Sequence, residues 1–119
     1  MKCYPALLLL LATTAAQAGD DCNEPTTQAA MNICAMQDYA RADAALNAAY
    51  KKLVSTLDKA QLGRLKTAQR AWIGFRDAQC DYEAGAYEGG SIAPLIHSGC
   101  LSTLTEQRTK ALTALLDMP

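Results

Sequence analysis

From Thr26 to Leu57 the chain contains neither proline nor glycine. Within that stretch the apolar residues Met31, Ala35, Ala42, Ala45, Leu46, Ala49, Leu53 and Leu57 recur at helical spacing. An unbroken run of this length with one apolar stripe has a single economical solution, an amphipathic helix packed against others. Thr26 or Thr27 can cap its start. Asp58 interrupts the pattern, and Gln61 stands three residues later, close to a capping box. A first helix is therefore expected to end near Leu57 and a second to begin near Lys59. The second carries Leu62, Leu65, Ala68, Trp72, Ile73, Phe75 and Cys80, and should stop within Gly85 to Gly90. Ser91 can cap a third helix, with Pro94 tolerated in its first turn. That helix shows Leu95, Ile96, Leu101, Leu104, Ala111, Leu112 and Leu115. Nothing alternates with period two over a useful length. The expected fold is all-α, a three-helix antiparallel bundle, because short connections favour antiparallel neighbours.

The start of the chain reads differently. Met1-Lys2 is positive, Ala6 to Ala12 is an unbroken Ala/Leu run, and Ala16-Gln17-Ala18 is a small-x-small cleavage pattern. Residues 1–18 are expected to be a cleaved signal peptide, leaving one domain over 19–119. The run is well short of the roughly 20 residues of a membrane span. Gly19-Asp20-Asp21 separates Ala18 from Cys22, so no lipobox leads into a cysteine, and no membrane anchor is expected after cleavage. Cleavage removes Lys2 and takes the formal charge from −1 to −2. The expected location is the periplasm or the medium.

Cleavage also removes Cys3 and leaves Cys22, Cys34, Cys80 and Cys100. Four cysteines in a short exported chain read as two disulfides. Three pairings exist. Cys22–Cys34 with Cys80–Cys100 is preferred, since each pair closes a short local loop. The spacings match no zinc pattern, and no Cys-x-x-Cys occurs, so no metal is expected.

Composition narrows the function. The 11 basic and 12 acidic side chains are too balanced for a nucleic-acid binder. At 50% hydrophobic residues the chain is too apolar to be disordered. His97 is its only imidazole. Oxidised cysteines cannot serve as nucleophiles. Ser98 follows His97 directly, and adjacent residues diverge on a helix. Asp77 and Asp81 stand four apart, with Glu83 nearby, as on a solvated face. The chain therefore reads as a non-enzyme. No cofactor is expected either: haem attachment by Cys-x-x-Cys-His is absent, and after cleavage His97, Met31, Met36 and Met118 are the only His or Met candidates for axial ligation.

One polar group stands out. Gln69, Trp72, Ile73, Arg76 and Cys80 step by three or four and share a face of the second helix. An arginine and a glutamine on a Trp/Cys face read as a buried polar clamp. Arg76 would pair with Asp43 or Asp77, or cap carbonyls of a neighbouring helix. Asn47 and Arg108 could join from the other two helices.

These residues also carry a resemblance. The chain has Cys22, then Thr27-Gln28-x-x-Met31-x-x-Cys34-Ala35, then Ala42-Asp43-x-x-Leu46-Asn47-x-x-Tyr50. It continues with Leu65-x-x-Ala68-Gln69-Arg70-Ala71-Trp72-Ile73-x-Phe75-Arg76-Asp77-x-x-Cys80. It closes with Gly89-Gly90-Ser91, Cys100 and Thr105-x-x-Arg108. In this pattern the chain resembles the lysozyme inhibitor LprI-like family of exported four-cysteine proteins. It departs from the usual pattern after Gln28, where an acidic residue is common and this chain has Ala29 and Ala30. The resemblance implies a helical, disulfide-bonded, secreted domain. It further implies a protein-binding role, with lysozyme as the partner. The alternative is a periplasmic binding or structural module without catalytic activity whose partner is not lysozyme: cell-wall material, another envelope protein or a host factor.

An inhibitor of this kind must occlude a cleft that holds two catalytic carboxylates. The best protruding segment is Ala84 to Ser91. Tyr87 is a low-entropy amphipathic anchor, Glu88 is its acidic neighbour, and Ser91 or His97 could donate to a carboxylate. Asp20, Asp21, Glu24, Asp81, Glu83 and Glu88 would speed encounter with a basic partner.

Overall fold

A computed structural model describes residues 22–118 of the chain. The signal-peptide reading falls on residues outside that range. The described residues form three helices and no strand: α1 (Gln28–Val54), α2 (Lys59–Gly85) and α3 (Ala93–Leu115).

Two helix starts follow from local chemistry. The Thr27 hydroxyl accepts a hydrogen bond from the Ala30 amide at 3.0 Å. The Asp58 carboxylate accepts from the Gln61 amide at 2.8 Å. Each satisfies one of the amides that a helix start leaves without an intrahelical partner. α1 ends at Val54, a turn before the expected Leu57. Its last turn tightens, with the Thr56 amide on the Leu53 carbonyl and the Leu57 amide on that of Val54. Leu57 still packs on the core from this turn.

The third helix starts differently from the sequence expectation. Its N-cap is Ile92, with φ −84° and ψ −17°, and no side chain caps it. Ser91 therefore does not act as a cap. Ile92 already has helical dihedrals, whereas capping by a side chain needs an extended residue at that position. Pro94 sits in the first turn as expected.

α3 is the shared helix: both α1 and α2 pack along it, and α1 and α2 approach each other much less. Two apolar clusters fill the interfaces. Leu46 and Leu53 of α1 meet Leu112 of α3, with Leu65, Trp72 and Leu116 against them. Nearer the other end, Cys80, Cys100 and Leu101 are joined by Tyr39 and Leu104. Each leucine buried in this way contributes roughly 1.5–3 kcal/mol. The small residues Ala35 and Ala42 are buried on α1, as is Ser98 on α3, which suits close helix approach.

The weaker engagement of α2 corrects the expected core. Phe75 is 57% exposed, and Ile73 is exposed beside the Trp72–Arg76 stripe. Ala68, Ala111 and Leu115 are likewise exposed. Sequence periodicity counted these positions because they are apolar. Ile73 and Phe75 stay uncovered because α2 is packed on one side only, and Ala68 and Leu115 line an open groove between the helices.

The disulfides are Cys22–Cys34 and Cys80–Cys100, each with Cα atoms 5.5 Å apart. The first ties the segment before α1 to that helix. The second clamps the end of α2 to the start of α3. No described helix is long and apolar enough to cross a membrane.

Candidate functional site

Midway along the bundle, Trp72 organises a polar cluster. The Arg76 guanidinium lies 5.2 Å from its ring and 5.7 Å from that of Tyr39. Arg108 approaches the same indole from α3, at 5.8 Å. The Arg76 Nε donates to Asp77 Oδ1 at 2.9 Å. The Arg108 Nε donates to Gln69 Oε1, also at 2.9 Å. Arg76 is only 9% exposed, so its charge is held by one carboxylate and two aromatic faces. Burial pushes the pKa of Arg108 down from its ordinary value. An arginine starts so far above neutrality that it stays charged.

The structure thus brings together Gln69, Trp72, Arg76, Asp77 and Arg108. It places Asn47 elsewhere, exposed on α1, with its amide donating to Asp43 one turn back at 3.3 Å. Asp43 is occupied there, and Arg76 takes Asp77. Sequence reasoning passed over Tyr39. Its signal was register: Ala35, Tyr39, Ala42, Leu46, Ala49 and Leu53 step by four and three along one face.

The four residues considered for partner contact lie at the end of the bundle where α2 passes into α3. The connection is tightly turned. The Tyr87 amide donates to the Ala84 carbonyl, and the Glu88 amide to that of Gly85. The Gly90 amide returns to the Tyr87 carbonyl at 2.9 Å. Gly89 takes φ +81°, the value a type II turn requires at its third residue. A Cβ on Gly90 would come within 3.1 Å of the Tyr87 carbonyl oxygen. The loop is also strapped to α1: the Asn32 side-chain amide donates to the Ser91 carbonyl at 3.0 Å, and Gln28 orients Asn32 from below. Asn32 is the second residue that sequence reasoning did not single out. Nothing in its local pattern marks a contact with a carbonyl 59 residues away.

At this tip Tyr87 is 45% exposed, and Glu88 and Ser91 are exposed. His97 is half-buried and pairs through Nε2 with Asp81 Oδ1 at 3.1 Å, across the α2–α3 interface. Tyr87, Glu88 and Ser91 therefore form one presented edge, while His97 stands a turn inside α3 with its outward nitrogen engaged. Glu83 accepts from Gln79 on its own helix. Among the described residues no three His, Cys, Asp or Glu side chains gather where a metal could be held.

The charges of the described residues are unevenly placed. The half that bears the Cys80–Cys100 bridge and the tip holds six acids, among them Asp77, Asp81, Glu83 and Glu88, against two bases. Those bases, Arg41 and Arg76, are both paired, with Asp38 and Asp77. The far half, around the α1–α2 turn, holds eight bases against four acids.

Comparison with known proteins agrees with this architecture. A family model described as lysozyme inhibitor LprI matches residues 20–112. A protein of Rhizobium meliloti (strain 1021), described as uncharacterized, is 43% identical over 95% of this chain and 94% of its own length. A solved DUF1311 family protein from Pseudomonas putida KT2440 covers 87% of this chain and 100% of its own, at 20% identity and a TM-score of 0.71. That structural likeness speaks to the fold, and the family match and the Rhizobium relative to descent. This chain belongs to the lysozyme inhibitor LprI family.

Proposed function

We propose that the chain is an exported lysozyme inhibitor whose α2–α3 tip enters and blocks the lysozyme cleft. The observation that carries this reading is the tip itself, at once exposed and held in place by the Gly89 turn, the Asn32 strap and the Cys80–Cys100 bridge. A loop already ordered before binding loses little entropy on docking. Tyr87 supplies a rigid aromatic anchor with a hydroxyl that can reach the cleft carboxylates. The acidic half around it would draw in a basic lysozyme. Ser91 is the neighbouring exposed donor on the same rim, whereas His97 stands a turn inside α3, paired with Asp81.

The proposed role is binding: Asp77, Asp81 and Glu83 hold structural partners in Arg76, His97 and Gln79. Two bridges in so short a chain suit the periplasm or the medium, where thiols are oxidised.

The test is lysis of a peptidoglycan suspension by a c-type lysozyme, with the mature protein titrated in at two salt concentrations. A reduced and alkylated sample serves as control. The expected result is dose-dependent inhibition that weakens with salt and disappears in the control. Absence of inhibition at large molar excess, repeated with g-type and i-type lysozymes, would overturn the proposal. The second reading, an envelope module for another protein, is favoured by Phe75 and by Tyr82, which is 78% exposed on α2. A pull-down from envelope extract that recovers a partner sensitive to Phe75→Ser and Tyr82→Ser would support it.

A further inference from the structure

The basic half of the molecule has a surface that lysozyme binding at the tip does not use. Lys51 and Lys52 lie in the last turn of α1, and Lys59 opens α2. Lys66 and Arg70 continue along α2. None of these five makes an ion pair with a described residue. Their charge is therefore open to an outside anion.

The same end carries an open, largely apolar groove of about 400 Å³, lined by Leu53, Leu57, Leu65, Ala68, Leu115 and Met118 together with the polar side chains of Gln61 and Arg64. Met118 is 65% exposed, and Leu115 is exposed beside it. Unpaired cations and an apolar notch at the same end of a bundle are the chemistry of an interfacial site. The cations meet lipid phosphates, and the apolar side chains enter the boundary between headgroups and acyl chains.

We propose that this end docks on an anionic phospholipid surface. α2 is about 40 Å long, so docking by its start holds the tip about that far from the lipid. The acidic half is repelled by the same surface, which favours this orientation over the reverse. A second copy of the chain fits less well. Its acidic tip could meet the lysines, but Tyr87 is the only large apolar residue in 86–91 with which to fill the groove. A soluble polyanion would use the charges and leave the groove idle.

The experiment is co-sedimentation of the full mature chain with phosphatidylglycerol/phosphatidylcholine vesicles and with phosphatidylcholine alone, at low and physiological salt. Binding to the anionic vesicles only, weakening with salt, is expected. The triple variant K51Q/K52Q/K59Q changes exposed residues and should keep its circular dichroism. It should lower the partition coefficient by roughly a hundredfold, about fivefold per charge. Leu115→Ser with Met118→Ser should weaken vesicle binding several-fold and leave capture of soluble polyphosphate unchanged. No binding to anionic vesicles at low salt would overturn the proposal, as would equal binding to neutral ones. An apolar double variant with undiminished vesicle binding would assign the site to polyanions instead. Salt-sensitive dimers in sedimentation, with no vesicle binding, would assign it to a second copy. Lysozyme inhibition has no bearing on any of these outcomes.

Discussion

The Arg76 guanidinium lies 5.7 Å from the centroid of the Tyr39 ring, and so joins α2 to α1, the two helices that approach each other least. The same group lies 5.2 Å from Trp72 on its own helix. A cation held between two rings and one carboxylate is a fixed spacer between helices. Replacing Arg76 by Ala removes that spacer and leaves Asp77 without its partner. The expected cost is about 2–4 kcal/mol, and a melting temperature lower by more than roughly 10 °C. Arg70→Ala, on the exposed side of α2, should stay within about 0.5 kcal/mol. Thermal melts of the two variants check the contrast. Equal, small shifts would mean that Arg76 spaces nothing.

The Tyr39 contribution can be separated from simple packing. Tyr39→Leu keeps a large apolar side chain and loses the π face, at an expected cost of about 1 kcal/mol. In a double-mutant cycle with Arg76→Ala, the coupling energy should fall between about 0.5 and 2 kcal/mol. A coupling near zero in urea melts would reduce Tyr39 to a packing residue.

Why the sequence revealed some of this and hid the rest follows from the range of each interaction. Thr27 and Asp58 announce helix starts because a cap is made within three residues. The cysteine pairs were readable because each bridge closes a local loop of 12 or 20 residues. The polar cluster was readable in part, since Gln69, Trp72, Arg76 and Asp77 sit on one helix. Ser91 was misassigned because capping depends on the backbone of the next residue, which the loop sets and the side chain does not. Phe75 was placed in the core because periodicity cannot say how many neighbours a helix has. Tyr39 and Asn32 act on residues far along the chain, and only the fold brings them there.

That distinction between Ser91 and Asn32 is itself testable. Ser91 offers its backbone carbonyl to Asn32, and its hydroxyl caps nothing. Ser91→Ala should therefore change stability by less than about 0.5 kcal/mol. Asn32→Ala removes the strap and should cost about 1 kcal/mol. It should also speed amide exchange at the start of α3 more than elsewhere. The reverse ranking in denaturant melts would restore Ser91 as the capping residue.

The two bridges should differ in what they protect. By loop closure each contributes about 3 kcal/mol, slightly more for the longer Cys80–Cys100 loop. Cys80→Ser with Cys100→Ser exposes the α2–α3 junction, where Cys80 is fully buried in the core. That variant should lose stability and loosen the tip together. Cys22→Ser with Cys34→Ser should leave the tip ordered, because Asn32 is held by α1 itself. Hydrogen exchange over 84–92 in both double variants distinguishes the cases; equal loosening of the tip would mean that the first bridge also supports it.

Gly89 connects the fold to the proposed activity. Its φ of +81° is strained for any L side chain, yet nothing lies within 4 Å of where a Cβ would stand. Gly89→Ala therefore pays a backbone cost of about 1–2 kcal/mol without a clash. The helices on either side need not move, since the turn lies outside both clusters of buried residues. The expected outcome is a folded protein with a modest drop in melting temperature and a displaced Tyr87 and Glu88. If the tip enters a lysozyme cleft, inhibition should fall by tenfold or more, as for a contact made by a misplaced anchor. Tyr87→Ala should produce a comparable loss with no change in melting temperature. Undiminished inhibition in both variants would move the contact surface away from the tip, with α2 around Phe75 and Tyr82 the next surface to scan.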